Sequence, residues 1–110
     1  LDEKFSAALA RAAERQLSDF SAQCVANTAW AYATVNQPDT RMFLALRRGA
    51  ERRMRESKAQ GLANTAWAFA TVNQLDEKLS VALARAAELR MSDFDAQGIV
   101  NTAWAFAKLC

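Results

Sequence analysis

One motif occurs three times in this chain, each time 37 residues after its previous occurrence. It contains Asn-Thr-Ala-Trp-Ala followed by an aromatic residue and alanine, and it begins at Gln23, Gln60 and Gln97. A second motif keeps the same interval and begins at Asp2, Asp39 and Asp76. Because a unit of this length cannot bury its apolar surface alone, the repeat predicts that successive copies stack into a solenoid.

Each copy contains two stretches whose apolar residues recur at helical spacing. The tryptophan-containing stretch, helix A, is predicted at 22–35, 59–72 and 96–109, and the arginine-containing stretch, helix B, at 3–17, 40–54 and 77–91. The chain has only one proline and three glycines, which also favours helices. We predict an all-α fold, an α-solenoid of stacked antiparallel helix-turn-helix repeats covering 1–36, 37–73 and 74–110. We also expect these repeats to be part of a longer array.

Residues that cap helices lie at the predicted boundaries. Serine or aspartate precedes five of the six helices, at Ser21, Asp95, Asp2, Asp39 and Asp76. Asparagine follows two of the A helices, at Asn36 and Asn73, where a left-handed C-terminal residue is expected. Pro38 prevents the first A helix from continuing.

The apolar positions of both helices predict the core. On helix A these are Val25, Ala26, Ala29, Tyr32 and Ala33, with Phe69 and Phe106 in the place of Tyr32 in later copies. On helix B they are Phe5, Leu9 and Ala12, then Met42, Leu46 and Gly49, then Leu79, Leu83 and Ala86. Alanine on helix A predicts that neighbouring helices approach closely.

A polar and aromatic row runs along the other side of helix A. Its members are spaced i, i+4, i+7 and i+11, which places them on one flank of the helix. The rows are Gln23, Asn27, Trp30 and Thr34, then Gln60, Asn64, Trp67 and Thr71, then Gln97, Asn101, Trp104 and Lys108. Amides can bind base edges and indoles can stack on bases, so these rows are candidate contacts for RNA or for another partner.

A structural role for the same rows is the alternative. Tryptophan beside an alanine seam commonly packs between repeats. The three asparagines, Asn27, Asn64 and Asn101, would then form a ladder bonded to neighbouring backbones. A buried amide without a partner would cost about 1–3 kcal/mol, so the rows must face water, a ligand or a satisfied network.

A cluster of arginines marks helix B of the middle copy, at Arg47, Arg48, Arg52, Arg53 and Arg55. It would be a solvated face if Glu51 pairs with arginines three or four residues away. Otherwise it would contact phosphate or an acidic partner. The other B helices carry fewer charges at these positions, so we expect a local cluster and not a repeated one.

Residue types argue against catalysis. The chain has no histidine, its three glycines are isolated, and the aspartates that recur every 37 residues are explained as helix caps. We expect no enzyme activity, no cofactor and no metal site. The two cysteines, Cys24 and Cys110, are read as reduced thiols, which favours an intracellular compartment. No stretch approaches the roughly 20 apolar residues of a membrane-spanning helix.

The alanine-rich helix around Asn-Thr-Ala-Trp-Ala-Phe-Ala, repeated at this interval, resembles the octotricopeptide and heptatricopeptide repeat families over essentially the whole chain. The resemblance implies an RNA-binding α-solenoid in a plastid or mitochondrion. The rows are nearly identical between copies, however, so we expect them to hold a monotonous tract or an RNA backbone.

Two functions follow as hypotheses. The first is an organellar protein that holds single-stranded or ribosomal RNA along helix A, weakly with three repeats alone. The second is a scaffold that docks on protein subunits of a large organellar complex without touching nucleic acid. In both cases we expect further repeats or a partner to cover the end helices.

Overall fold

The computed structural model describes residues 3–35 and 39–109, and the regular structure in these ranges is entirely helical. The B helices are α1 (Glu3–Arg15), α3 (Thr40–Arg52) and α5 (Glu77–Leu89), and the A helices are α2 (Ala22–Thr34), α4 (Ala59–Thr71) and α6 (Ala96–Leu109). Short 3-10 helices follow the B helices at Leu17–Asp19, Met54–Glu56 and Met91–Asp93. The predicted all-α fold of helix pairs is confirmed.

The A helices form one layer, in which α4 lies between α2 and α6, and the B helices form a second layer over it. The result is elongated, 42 × 26 × 22 Å along its principal axes. Alanine makes the A layer close-packed. Ala29 and Ala66 are buried on one side of their helices, and Ala68 and Ala105 on the other. The predicted alanine seam therefore joins consecutive copies.

The centre of the core is Phe43 of α3, which is completely buried. Its ring meets Tyr32 edge-on, with 6.3 Å between ring centroids, and Phe69 edge-on at 5.0 Å. Such edge-to-face pairs add to the energy of area burial. Sequence reasoning missed Phe43 because the other two copies have serine there, Ser6 and Ser80.

Most predicted core positions are buried. They include Val25, Ala26, Ala29, Ala33, Met42, Leu46, Gly49, Phe69, Leu79, Leu83 and Ala86. Tyr32, Phe106, Leu9 and Ala12 are only partly buried. The prediction for Phe5 was wrong, because its side chain is 56% exposed. Within the described residues α1 packs against α3 on one side and has no further B helix on its other side, so no second B helix covers Phe5.

The capping predictions hold wherever the structure describes them. Side-chain oxygens of Ser21, Asp39, Asp76 and Asp95 accept hydrogen bonds from the backbone N–H three residues later, at 3.1, 3.0, 2.8 and 2.7 Å. Asn73 has a φ of 60°, and the backbone N–H of Gln74 donates to the Phe69 carbonyl at 2.7 Å, which closes α4 in a Schellman motif. The predicted roles of Asp2, Asn36 and Pro38 lie outside the described residues.

The B helices end two residues earlier than predicted, and each 3-10 helix begins at the residue where the B helix was predicted to end. Each 3-10 helix starts at an apolar residue, and the tighter turn brings Leu17 and Met54 against the core.

The cap aspartates also join neighbouring B helices. The Ser6 hydroxyl donates to Asp39 Oδ2 at 2.6 Å, and the Arg47 guanidinium lies 3.2 Å from Asp76 Oδ2.

The two phenylalanines of the B helices allow a matched test of the core. We expect Phe43→Ala to lower the free energy of unfolding by about 3–5 kcal/mol, because it leaves a cavity between three helices. Phe5→Ala should change it by less than about 0.5 kcal/mol, since the ring is largely in solvent. Urea denaturation followed by circular dichroism measures both, and equal losses would contradict this description of the core.

A second matched pair concerns glycine. A Cβ atom built on Gly49 would lie 2.9 Å from Val25 Cγ2 and 3.1 Å from Leu17 Cδ1, whereas one on Gly61 would meet only Ala26 Cβ at 4.0 Å. We expect Gly61→Ala to stabilise the fold by about 0.5–1 kcal/mol through helix propensity. Gly49→Ala should destabilise it by about 1 kcal/mol, because overpacking outweighs the same gain. Equal stabilisation by both substitutions in thermal unfolding would show that α3 does not depend on this close approach.

Candidate nucleic-acid interface

The predicted rows lie side by side along one edge of the A layer. Gln23, Gln60 and Gln97 are exposed, as are Asn27, Thr34 and Lys108. Asn64, Asn101 and Thr71 are half-buried. The N-termini of α2 and α4 lie side by side at the border of one groove, so these two A helices run in the same direction. The row of each copy thus continues in the next.

The indoles differ in how far they are covered. Trp30 is 47% exposed and Trp104 is 44% exposed, so neither is wedged between helix pairs. Trp67 is half-buried and packs against the core cluster. The packing alternative therefore applies in part to the middle copy, while the outer two rings have a surface open to solvent.

The amides are not used by the fold. None of the six side chains, Gln23, Asn27, Gln60, Asn64, Gln97 and Asn101, makes a hydrogen bond to any of the residues that the structure describes. The alternative of an asparagine ladder bonded to neighbouring backbones is therefore wrong for these residues. Their donors and acceptors face solvent and are available to a ligand.

These amides line two consecutive grooves. The first, of about 450 Å³, runs between α2 and α4 and is bordered by Gln23, Asn27, Gln60 and Asn64. The second, of about 560 Å³, runs between α4 and α6 and is bordered by Asn27, Trp30, Gln60, Asn64, Gln97 and Asn101. Asn27, Gln60 and Asn64 border both. The two grooves thus form one continuous path across the A layer.

Charge in the grooves is mixed, which sequence reasoning did not anticipate. Glu56 and Lys58 border the first groove, and Asp93 and Asp95 border the second. Lys58 occupies the N-cap position of α4 and makes no capping hydrogen bond. These charged residues sit in the turns before the A helices, and helical periodicity does not place turn residues relative to a groove.

The row of the third copy ends in internal contacts. The Lys108 ammonium lies 5.3 Å from the centroid of the Trp104 ring, within the range of a cation–π interaction. The same ammonium donates to the Thr71 carbonyl at 3.4 Å. A base that stacks on this face of Trp104 must displace Lys108, whereas no cation covers Trp30 within the described residues.

The predicted arginine cluster divides into two groups. Arg47 pairs with Asp76, and Arg53 pairs with Glu56 at 2.9 Å and donates to the Ser18 carbonyl at 2.8 Å. Arg48, Arg52 and Arg55 are exposed and make no ion pair with a described residue.

The expected pairing of Glu51 within its own helix is wrong. Its nearest cationic partner is the Lys78 ammonium of α5, 3.8 Å away. This carboxylate points along the stack, toward the next B helix, and so it joins two copies instead of neutralising the cluster.

The remaining chemistry of the chain is sparse. Cys24 is an exposed free thiol, and hydrogen bonding to Ser21 lowers its pKa. Across residues 3–35 and 39–109 no group of three histidine, cysteine or acidic side chains converges to hold a metal ion. Nor does any helix in these ranges have the length and apolar character needed to cross a bilayer.

Comparison with known proteins assigns the family. A family model described as RNA-editing substrate-binding complex 6 protein matches residues 1–110. Neither the curated proteins nor the solved structures gave a match. The family match and the resemblance to helical-repeat RNA-binding families both indicate a connection with RNA. Membership of the octotricopeptide or heptatricopeptide families stays a prediction. The chain belongs to the family of RNA-editing substrate-binding complex 6 proteins.

Proposed function

We propose that this chain binds single-stranded RNA along the two A-layer grooves as part of an RNA-editing substrate-binding complex. The observation that carries the proposal is the set of six amides without protein partners, which line a continuous path beside the exposed Trp30 indole. The name of the matched family supports a role connected with RNA. Its link to RNA editing favours a mitochondrial location over a plastid one.

Each part of the path has a distinct role in this proposal. The amides offer both donors and acceptors to base edges, and the Trp30 ring offers a flat surface on which a base can stack. Because the rows repeat almost unchanged, the same base type suits each copy. The chain therefore holds RNA without reading a complex sequence.

Affinity from this segment alone is low. One base stacked on Trp30 contributes about 1–3 kcal/mol, which does not offset an association cost of roughly 4–15 kcal/mol. Firm binding then needs additional repeats or partner proteins that continue the path. Binding and presentation of RNA require no catalytic group, so we propose a non-enzymatic role.

Trp30 provides the clearest test, because it is 47% exposed and borders the groove between α4 and α6. We expect Trp30→Ala to weaken binding of a fluorescent 12-nucleotide uridine RNA by about 5- to 150-fold, which corresponds to the loss of one stacked base worth about 1–3 kcal/mol. Fluorescence anisotropy at low salt measures the dissociation constant.

Leu89→Ala is the control for this test, because Leu89 is 87% exposed on α5, away from the grooves. It should leave the affinity unchanged. Equal affinity of the Trp30→Ala variant and the unmodified chain would remove the proposed contact surface.

The mixed charge of the grooves favours a second candidate, a scaffold whose A layer binds a protein segment. Asp93 and Asp95 border the groove between α4 and α6, and carboxylates repel phosphate while attracting basic side chains. A basic peptide segment of a partner subunit would fit this groove.

Asp93→Lys distinguishes the two candidates, since Asp93 is exposed and its side chain caps no helix. If the groove holds RNA, this substitution should tighten RNA binding several-fold at low salt, because it replaces a repulsive charge with an attractive one. If the groove holds a basic protein segment, the variant should instead lose association with the partner subunits in co-purification and leave RNA affinity unchanged.

A further inference from the structure

The outward faces of the three B helices carry a repeated set of cations. Nine positions, three per helix, recur at the 37-residue interval, and eight of them are lysine or arginine. They are Lys4, Arg11 and Arg15 on α1, Arg41, Arg48 and Arg52 on α3, and Lys78, Arg85 and Leu89 on α5, and all nine are exposed. Two members of the arginine cluster of the middle copy, Arg48 and Arg52, thus belong to a set that recurs in the other copies. The eight cations are termed the outer cationic stripe.

Helical geometry explains why these residues share a face. Positions separated by seven and eleven residues lie within about 40° of each other around a helix. The same geometry places Leu46 and Ala50 of α3 on the opposite side, and both are buried. The outer cationic stripe therefore points directly away from the A layer and its grooves.

The acidic residues beside the stripe are used between neighbouring helices. Glu14 of α1 accepts two hydrogen bonds from Arg41 of α3, at 3.0 and 2.8 Å. The Arg41 hydrogen bond, aided by the charges of Arg48 and Arg11, lowers the pKa of Glu14. Glu51 of α3 approaches Lys78 of α5 in the same manner. The direct ion pairs of these carboxylates are therefore with Arg41 and Lys78, while Arg11 and Arg48 act on Glu14 only through longer-range charge.

The central row consists of Arg11, Arg48 and Arg85. Their side chains make no ion pair or hydrogen bond with any residue in the described ranges. Arg15 and Arg52 lie in the last turns of their helices, where a cation stabilises the helix dipole. The central row has no such role, because it lies one turn earlier.

A merely solvated face normally intersperses cations and anions. Here eight cations share the outer face with apolar side chains such as Leu44 and Val81, which are 42% and 43% exposed, and the acids lie on the flank. In the A layer, by contrast, Glu56 and Lys58 border the first groove, and two aspartates, Asp93 and Asp95, border the second. Positive potential therefore concentrates on the B layer.

We propose that Arg11, Arg48 and Arg85 form a track that binds the phosphate backbone of RNA, on the opposite side of the molecule from the amide grooves. Guanidinium groups match phosphate geometry with paired N–H donors, and their charge does not depend on pH in the physiological range. The track contacts backbone only, so it binds independently of base identity. It goes beyond the groove proposal, because it needs neither amides nor indoles.

Salt dependence gives this proposal a quantitative signature. Each neutralised phosphate of a single strand contributes about 0.7 to the slope of log affinity against log salt concentration. Loss of three contacts should therefore reduce the magnitude of the slope by about 2.

The test uses the triple variant Arg11→Gln, Arg48→Gln and Arg85→Gln with two fluorescent 20-residue probes, a uridine RNA and an abasic phosphodiester oligomer. We expect the triple variant to bind both probes more weakly, with the slope reduced by about 2 in each case. The corresponding triple lysine variant keeps the charge and should keep most of the slope. Because the three side chains are exposed, circular dichroism should show the same fold for all three proteins.

Three results would overturn the track. They are an unchanged salt slope in the glutamine variant, a loss confined to the uridine probe, and a loss shared by the lysine variant. Association of the stripe with an acidic protein would give the first of these. The Trp30→Ala variant separates this proposal from the groove proposal, since it should lose affinity for uridine RNA and retain affinity for the abasic probe.

Discussion

The structure depends on one packing constraint, which is that a single pair of helices leaves its apolar surface open to water. Buried alanines between consecutive A helices, the alanine seam, meet this constraint. Ala29 and Ala66 on one side, and Ala68 and Ala105 on the other, let consecutive A helices approach closely enough to exclude solvent. The B helices then need only cover the remaining side. They do so around Phe43, whose aromatic contacts link the first two A helices through α3.

This stacking also arranges the chemistry. Because each copy is placed beside the previous one in the same direction, a side chain at one position becomes part of a row. On the A layer the rows are amides and indoles, which suit bases. On the B layer the corresponding rows are cations, which suit phosphates. The two surfaces point in opposite directions, so a strand that used both would have to pass around an edge of the molecule, or two segments would bind separately.

Much of this architecture was predictable from the sequence, because the 37-residue interval fixes the copies and helical spacing fixes the faces. The caps at Ser21, Asp39, Asp76 and Asp95 and the left-handed Asn73 follow from local chemistry. The central role of Phe43 was not predictable from the repeat, since it is a departure from it. Groove charges such as Asp93, and the pairing of Glu51 with the next helix, depend on how turns and copies meet in space. Exposure of Phe5 depends on the absence of a neighbouring helix on that side among the described residues.

The aspartates that begin α3 and α5 have a consequence beyond helix capping. Asp39 receives a hydrogen bond from Ser6 of the preceding B helix, and Asp76 lies against Arg47 of the preceding B helix. The aspartate that caps each of these two B helices is therefore also the group that bonds it to the preceding B helix. If one copy frays, the adjoining copy loses an electrostatic anchor at the same moment, so opening should spread along the array as a cooperative event and not remain within one helical pair.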